Sequence, residues 1–375
     1  MSEEIQMVDL KGQYKRIKEE IDAAIGEVIS SAAFVKGPKV KVFEEHLAEY
    51  LGVKHVISCA NGTEAIQLAL MAMGLKPGDE VITPTFTFIA TAEVVALLGL
   101  KPVVVDVDPE TFCMDPMSVR KAITKRTRAI VPVHLFGQNA PMEELMGIAE
   151  ECGLRVVEDA CQSMGSDYLF ANGKRTKSGT LGDVGCTSFF PSKNLGCYGD
   201  GGALFTDDDE LAEVIRSMAN HGMTVRYHHD RVGMNSRLDG IQAAVLDVKL
   251  KYLDEYVKSR QWAAKEYDEA FAGMEWIKTP KHATYSTHAF HQYTLVLDES
   301  VDRDALQARL KVAGVPSMVY YPIPLHLQKA YRDERYKEGD FPVAEFLSRH
   351  VLSLPMHTEL TQEQLAKITE VVKGS

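Results

Sequence analysis

The stretch HVISCANGTEAIQLALMAMGLKPGDEVITP, residues 55–84, contains the repeating unit on which the fold depends. A short β-branched segment is followed by a longer one whose apolar residues recur at intervals of three and four, and then by a second short segment. The short segments are typical of strands, and the longer one is typical of an amphipathic helix. The order strand, helix, strand predicts two parallel strands joined by a crossing helix.

The same alternation continues along the first half of the chain. Further strand patterns occupy residues 101–107, 128–133, 155–160, 185–190 and 202–206, and helical patterns occupy residues 91–99 and 141–153. Repeated units of this kind predict an α/β fold with a mostly parallel central sheet that is covered by helices on both faces.

The second half of the chain has a different pattern. One helix is predicted over residues 239–272, followed by strands at 290–297 and 316–321 and helices at 302–314 and 361–372. A chain of 375 residues exceeds the roughly 250–300 residues at which single cores stop growing. We therefore predict a large α/β domain at residues 1–250 and a smaller α+β domain at residues 251–375, with the long helix leading from one to the other.

Composition excludes several classes of protein. A net charge of −12 argues against a nucleic-acid partner, because such proteins need a basic face. No window is apolar enough to span a membrane, and the charged N-terminal sequence lacks a signal-peptide pattern, which predicts a cytoplasmic protein. The six cysteines form no C-x-x-C pair, so neither a disulfide nor a metal site is predicted.

Polar residues follow two of the predicted strands, at the edge where parallel sheets bind ligands. Gly62 and Thr63 begin a helix, whose free N–H groups suit a phosphate, although Asn-Gly-Thr is also an ordinary turn and helix cap. Asp159 ends a strand and is followed by Gln162. A carboxylate in an apolar run either caps a helix or faces a cationic group.

Lys193 follows a third strand and precedes the glycine-rich segment GCYGDGGA. Most lysines are solvated surface charges, and this is the plain interpretation here. An aldehyde cofactor with a phosphate and a pyridine ring, however, needs an anion site, an amine and a carboxylate at the ring nitrogen. Thr63 with Ser188, then Lys193, then Asp159 match these three needs.

Two further features fit a planar cofactor. Phe86 follows the strand at 80–84 and would stack on the ring, unless it only packs in the core. The glycines around residues 196–202 are expected to let the backbone turn at positive φ beside the ring.

Nearly the whole chain resembles the DegT-type, fold-type I nucleotide-sugar aminotransferases, which depend on pyridoxal 5′-phosphate (PLP). The most specific portions are EDACQSMG, TSFFPSKNLGCYGDGGA and NHG…RVGMNSRLDGIQAAVL, within residues 158–246. The resemblance implies that Lys193 forms the Schiff base with PLP and that Asp159 contacts the ring nitrogen. It also implies that Gln162 lies near the ring hydroxyl and Phe86 against the ring face.

The same resemblance implies a homodimer with shared active sites. Gly62, Thr63 and Ser188 would bind the phosphate, and Asn235 would reach it from the other subunit. Relatives with histidine at the lysine position carry out dehydration or deoxygenation, so Lys193 favours transamination. Glutamate is the amino donor that the resemblance implies.

The substrate is expected to be a nucleotide sugar. The segment HGMTVRYHHDRVGMNSR, residues 221–237, gathers basic residues that include His229 and Arg237, although such residues can also form a solvated loop. It resembles enzymes that aminate the third carbon of UDP-2-acetamido-2-deoxy-3-oxo-D-glucuronate for surface polysaccharides, and Arg237 would bind the carboxylate of that sugar.

Tyr320 and Tyr321 are also candidate sugar contacts, and they keep an alternative open. Tyr320-Tyr321-Pro322 stands where these relatives often have His-Tyr-Pro. Enzymes acting on dTDP-3-keto-6-deoxy sugars are therefore the alternative. Two alternatives lie outside sugar amination. One is a lyase or amino-acid aminotransferase of the same fold type, and the other is a regulator that binds the cofactor. A regulator would need a DNA-reading helix or a basic face, and the sequence offers neither.

Overall fold

The structure, a computed structural model, describes residues 4–374, and the central part of this chain is a layered α/β arrangement. Its strands are β1 His55–Cys59, β2 Glu80–Pro84, β3 Lys101–Val105, β4 Thr127–Ile130, β5 Arg155–Asp159, β6 Asp167–Leu169, β7 Arg175–Lys177, β8 Val184–Ser188, β9 Gly202–Thr206, β10 Met223–Val225, β11 His228–His229, β12 Ile277–Lys278, β13 Tyr293–Leu297 and β14 Val351–Leu354.

The α-helices surround the strands and also form an N-terminal group. They are α1 Leu10–Arg16, α2 Lys18–Ser31, α3 Pro38–Leu51, α4 Gly62–Ala72, α5 Ala90–Leu97, α6 Pro116–Ala122, α7 Met142–Cys152, α8 Asp209–Met218, α9 Gly240–Leu250, α10 Leu253–Phe271, α11 Arg303–Val312, α12 Pro342–His350 and α13 Gln362–Lys373. None of the helices in the described range is long and apolar enough to cross a membrane.

The central sheet has seven strands in the order β1-β9-β8-β5-β4-β2-β3. β3, β2, β4, β5 and β8 pair in parallel, whereas β9 runs antiparallel to both β8 and β1. The predicted α/β class with a mostly parallel sheet is therefore confirmed. The parallel strands end at one edge, and the residues that follow them meet there.

Both faces of this sheet are buried, as the strand composition predicts. Val157 packs in one apolar cluster with α4, α5 and α8, while its neighbour Val156 packs in another with α6 and α7. Successive strand side chains point to opposite faces, so a strand that is covered on both sides is apolar throughout.

The C-terminal part is built on a separate three-stranded antiparallel sheet, β12-β13-β14. Side chains from α10, α11 and α13 pack on it in one apolar cluster, which Ile5 from the N-terminal segment also joins. The division into domains at residues 1–250 and 251–375 stays a prediction.

Two predictions about this part were wrong. Residues 316–321 form no strand, because only Met318 makes an isolated bridge, to Ser353. The third strand is instead β14, at 351–354. The predicted single helix over 239–272 is two helices that break at Lys251 and Tyr252. No glycine or proline marks this break; α9 packs on α2 and α3, whereas α10 packs on α13.

Candidate active site

The first part of the site is an anion cradle at the start of α4. A Cβ atom on Gly62 would lie 2.7 Å from the Cβ of Ser188 and 2.8 Å from the Sγ of Cys161, so only glycine fits. The Asn61 side chain caps the helix by accepting a hydrogen bond from the Glu64 N–H at 2.8 Å. Within residues 4–374, the N–H groups of Gly62 and Thr63 have no hydrogen-bond acceptor. These donors and the helix dipole make a binding site for an anion.

The second part is the carboxylate of Asp159, which is 6% exposed at the end of β5. Oδ2 accepts a hydrogen bond from the hydroxyl of Thr91 at 2.9 Å, and Oδ1 accepts one from the Cys161 N–H at 3.2 Å. Thr91 lies near the start of α5 and was not among the predicted site residues. Its only local signal is a hydroxyl residue in the first turn of a buried helix.

The third part is Lys193, which lies in the loop between β8 and β9. Its N–H donates to the Phe190 carbonyl at 2.8 Å, and the Cys197 N–H donates to the Phe189 carbonyl at 2.8 Å. The glycines of this loop do not have positive φ angles, so that prediction was wrong. Space explains them instead, since a Cβ on Gly196 would overlap the carbonyl oxygen of Pro191.

The charge state of Lys193 follows from its surroundings. Burial lowers the pKa of the Lys193 ammonium, and the nearby groups Cys161 and Asp159 oppose this shift. Burial, together with the charge of Asp159, raises the pKa of the Cys161 thiol well above its usual value, while Lys193 acts in the opposite direction. Lys193, Asp159 and Cys161 are therefore electrostatic neighbours, and the amine is biased toward its neutral, nucleophilic form.

Gln162 connects the site to a segment far along the chain. Its Oε1 accepts a hydrogen bond from the Phe136 N–H at 2.8 Å, and its Nε2 donates to the hydroxyl of Tyr321 at 3.0 Å. Tyr321 is thus placed beside the predicted cofactor residues, and burial raises its pKa. Tyr320 is adjacent, and burial also raises its pKa.

Phe86 lies in the aromatic core of this region and is 0% exposed. Its ring centroid is 6.1 Å from that of Tyr321 and 6.5 Å from that of Phe136. This position is compatible with both predicted roles, core packing and stacking on a cofactor ring. The stacking role stays a prediction.

A buried hydrogen-bond chain, also missed, fixes the segment that contains Tyr321. The hydroxyl of Thr85 lies 2.9 Å from Nδ1 of His326, and Nε2 of His326 lies 3.0 Å from Oε1 of Glu345. The Leu325 N–H donates to the Thr85 carbonyl at 2.8 Å. Segment 320–326 is therefore fastened to the end of β2, next to Phe86.

His291 is another buried residue near Lys193. It is 5% exposed, and burial, followed by the charges of Lys193 and Arg260, lowers its pKa well below the usual value. The Asn194 side chain donates to the Ala289 carbonyl at 2.8 Å, which ties the lysine loop to this segment. Among the described residues, Nδ1 of His291 has no hydrogen-bond partner.

The remaining predicted residues lie elsewhere in the single chain. His229 is exposed on β11, with Nδ1 2.8 Å from the His221 carbonyl. Asn235 forms a backbone bridge with Asn220, and Arg237 lines a separate cavity. No contact within the described part of the chain joins His229, Asn235 or Arg237 to Lys193.

The residues at the sheet edge fit PLP. We call Gly62, Thr63, Asp159, Gln162, Ser188 and Lys193 the cofactor corner. It combines unused N–H donors at a glycine that admits close approach, a buried carboxylate and an amine whose pKa is lowered. Phosphate, pyridine nitrogen and aldehyde are the groups that these three parts would hold.

Comparison with known proteins agrees with this chemistry. The model of the DegT/DnrJ/EryC1/StrS aminotransferase family matches residues 15–373. A curated relative, the UDP-2-acetamido-2-deoxy-3-oxo-D-glucuronate aminotransferase of Pseudomonas aeruginosa, is 51% identical over 95% of this chain and 96% of its own.

Two solved structures are similar over most of the chain. A DegT DnrJ EryC1 StrS aminotransferase from Brucella abortus has a TM-score of 0.93 and 44% identity, with 99% of each chain covered. NtdA from Bacillus subtilis, solved with the bound cofactor PMP, has a TM-score of 0.87 and 34% identity, covering 95% of this chain and 81% of that one.

Proposed function

We propose a specific reaction for this chain, which belongs to the DegT/DnrJ/EryC1/StrS aminotransferase family and is a PLP-dependent nucleotide-sugar aminotransferase. The proposed reaction transfers an amino group from glutamate to the third carbon of UDP-2-acetamido-2-deoxy-3-oxo-D-glucuronate. The product would be a 3-amino sugar acid for surface polysaccharide. The observation that carries the proposal is the cofactor corner, in a chain whose 51% identical relative acts on this sugar.

The residues of the cofactor corner divide the chemistry. Bound PLP would supply an aldehyde that captures amines and a ring that takes up electrons. Lys193 would hold it covalently in the resting enzyme and, once released, would move a proton between the α-carbon of the donor and the aldehyde carbon. Asp159, oriented by Thr91, would keep the ring nitrogen protonated.

The other residues position the reactants. Gly62, Thr63 and Ser188 would bind the phosphate at the start of α4. Gln162 would contact the ring hydroxyl, and its hydrogen bond would hold Tyr321 beside it as a sugar contact. Phe86 would stack on the ring face. Donor and acceptor would use the same site in turn, which gives ping-pong kinetics.

The substrate side of the proposal depends on a homodimer. Arg237 would bind the carboxylate at the sixth carbon of the sugar, with His229 and Tyr320 as further sugar contacts. In one chain Arg237 and Asn235 have no contact with Lys193, which supports an arrangement in which they complete the site of a partner subunit. We also propose that the enzyme is cytoplasmic, as expected from its N-terminal sequence.

The alternative is a dTDP-3-keto-6-deoxyhexose 3-aminotransferase, which Tyr320-Tyr321-Pro322 keeps open. It predicts that a sugar without a carboxylate is the better substrate. Arg237 would then contribute little to the choice of sugar.

Amination of a panel of nucleotide sugars tests the proposal. Because 3-keto sugars are reactive, the reverse reaction is run on PLP-loaded enzyme with 2-oxoglutarate and the 3-amino forms of UDP-uronate, UDP-hexose and dTDP-6-deoxyhexose. We expect the highest kcat/KM for the uronate, with glutamate as the second product. A preference for the dTDP sugar would favour the alternative, and activity on amino acids alone would overturn the proposal.

A further inference from the structure

Two cationic side chains, Lys36 and Arg237, are brought together by a backbone contact. Val35 forms an antiparallel bridge with Asp239, and the Gly240 N–H donates to the Phe34 carbonyl at 2.6 Å. In an antiparallel bridge the residues after one partner lie opposite the residues before the other. This contact therefore places Lys36 next to the segment that carries Arg237.

Both side chains line a cavity of about 280 Å³, together with Lys41, Glu44 and Arg216. Four of these five groups are cationic, in a chain whose net charge is −12. We call this space the cation cavity.

Glu44, the acidic residue that lines the cation cavity, already has an ion pair and hydrogen bonds to other residues. Oε2 of Glu44 pairs with Arg216 at 3.0 Å, and Oε1 accepts hydrogen bonds from the N–H and hydroxyl of Ser58 at 2.8 and 2.7 Å. Lys41 lies 3.6 Å from Glu45. Lys36 and Arg237 have neither an ion pair nor a hydrogen bond to any residue in the described range.

Two unpaired cations side by side are an unfavourable arrangement in a free protein. Partial burial lowers the pKa of Lys36, and so does the charge of Arg237, while Glu44 acts in the opposite direction. Lys36 also has a φ of 52°, in the left-handed region that glycine favours and lysine rarely adopts. Strain of this kind at two like charges is typical of a binding site, where a ligand supplies the missing opposite charge.

We propose that Lys36 and Arg237 form one anion-binding site that takes an oxyanion of the nucleotide-sugar substrate. The inference rests on the proposed function and adds Lys36 to it as a second cation that binds substrate. A carboxylate at the sixth carbon and the diphosphate are the two sources of such an oxyanion. The guanidinium of Arg237 would bind it with two parallel hydrogen bonds and the ammonium of Lys36 with one.

Binding of stable analogues to the PLP-loaded enzyme tests this inference. Titration calorimetry with UDP-glucuronate, UDP-glucose and UDP is compared for wild type, Lys36→Gln and Lys36→Arg. We expect Lys36→Gln to weaken binding of UDP-glucuronate about tenfold, the loss of one charge-assisted hydrogen bond, and Lys36→Arg to restore most of it. Lys39→Gln is the matched control, because Lys39 pairs with Glu27 at 2.6 Å outside the cation cavity.

The outcomes distinguish the two sources of the oxyanion and show whether Lys36 binds it. A loss confined to UDP-glucuronate identifies the carboxylate, and equal losses on all three ligands identify the diphosphate. Unchanged affinity in Lys36→Gln, with a melting temperature equal to that of wild type, overturns the inference. So does an equal loss in Lys39→Gln, or a wild-type enzyme that binds none of the three ligands. The proposed function is tested separately, by turnover of the panel of amino sugars with wild-type enzyme.

Discussion

The cofactor corner and the cation cavity are opposite kinds of site. In the cofactor corner, the charged side chains have partners or defined neighbours from the same chain, such as Thr91 on Asp159, and only the N–H groups of Gly62 and Thr63 lack an acceptor among the described residues. In the cation cavity, Lys36 and Arg237 have no ion pair among the described residues, because the nearby carboxylate of Glu44 pairs with Arg216. The first site is arranged before any ligand binds, whereas the second needs a ligand to balance its charge.

This difference indicates how the two parts of the reaction are separated in the fold. Cofactor chemistry is common to many substrates, and its residues lie on the buried edge of the sheet. The residues proposed to select the sugar are Lys36 and residues of the segment 221–237, which ends at Arg237. This segment contains the exposed hairpin of β10 and β11. Substitutions in the two regions should therefore have separable kinetic effects.

The largest effect is expected for Lys193→Ala. Loss of the amine removes both the covalent attachment and the proton carrier, so turnover should fall by at least about four orders of magnitude. Turnover is followed as glutamate formation from 2-oxoglutarate in the reverse reaction, and borohydride reduction of wild type should attach the cofactor at Lys193. A variant that keeps wild-type turnover would refute the role of the cofactor corner.

Asp159→Ala should come next. An unprotonated ring nitrogen is a weak electron sink, so we expect turnover to fall by about two to three orders of magnitude, together with weaker PLP binding. Asp159→Asn keeps the shape and removes the charge, and it should lose nearly as much. Near-normal kcat in both variants would leave Asp159 with only a structural role.

Arg237→Ala should affect one class of sugar. Loss of one partner of a buried charge pair costs about 2–5 kcal/mol, and this loss should appear in kcat/KM for the uronate. The matching 6-hydroxy sugar should lose far less, and Arg237→Lys should not restore the paired hydrogen bonds. Equal losses on both sugars would remove the carboxylate assignment, while PLP binding serves as the control.

Subunit exchange tests whether the cation cavity serves a partner subunit. Lys193→Ala and Arg237→Ala chains, each with strongly reduced activity alone on the uronate, would form mixed dimers with one intact site. Equal mixing should restore about a quarter of wild-type activity, because half of the dimers are mixed and each has one intact site of two. Confirmed exchange without recovery would mean that each site is built from a single chain.

The smallest effect is expected for Thr91→Val. The substitution keeps the shape but removes the hydrogen bond to Asp159, which should cost about 1 kcal/mol, or roughly fivefold in kcat. Thr91→Ser should retain the hydroxyl and most of the activity. If valine and serine behave alike, the hydroxyl does not position Asp159.

The sequence was sufficient to predict the sheet edge. Asp159 ends a strand, and Gly62 and Lys193 come three and five residues after one, so a local pattern locates all three. The α/β class follows from the same alternation. The break within residues 239–272 was not predictable in this way, because it depends on which helices α9 and α10 pack against.

The residues that were not predicted are brought to the site by contacts between segments that are distant in the sequence. Thr85 and His326 are separated by 241 positions, and neither lies in a pattern that links it to the other. His291 reaches the neighbourhood of Lys193 from the other sheet's side, two residues before β13. Such neighbours are fixed by tertiary packing, which a single sequence does not display.

Cys161 has a consequence for the chemical durability of the enzyme. A thiolate beside the aldehyde of PLP would add to the aldehyde carbon and so remove the group on which the reaction depends. Burial and the charge of Asp159 raise the pKa of this thiol well above its usual value, so the sulfur remains protonated and poorly nucleophilic. Alkylating reagents should accordingly modify the exposed Cys152 first and leave Cys161 unmodified during purification and storage.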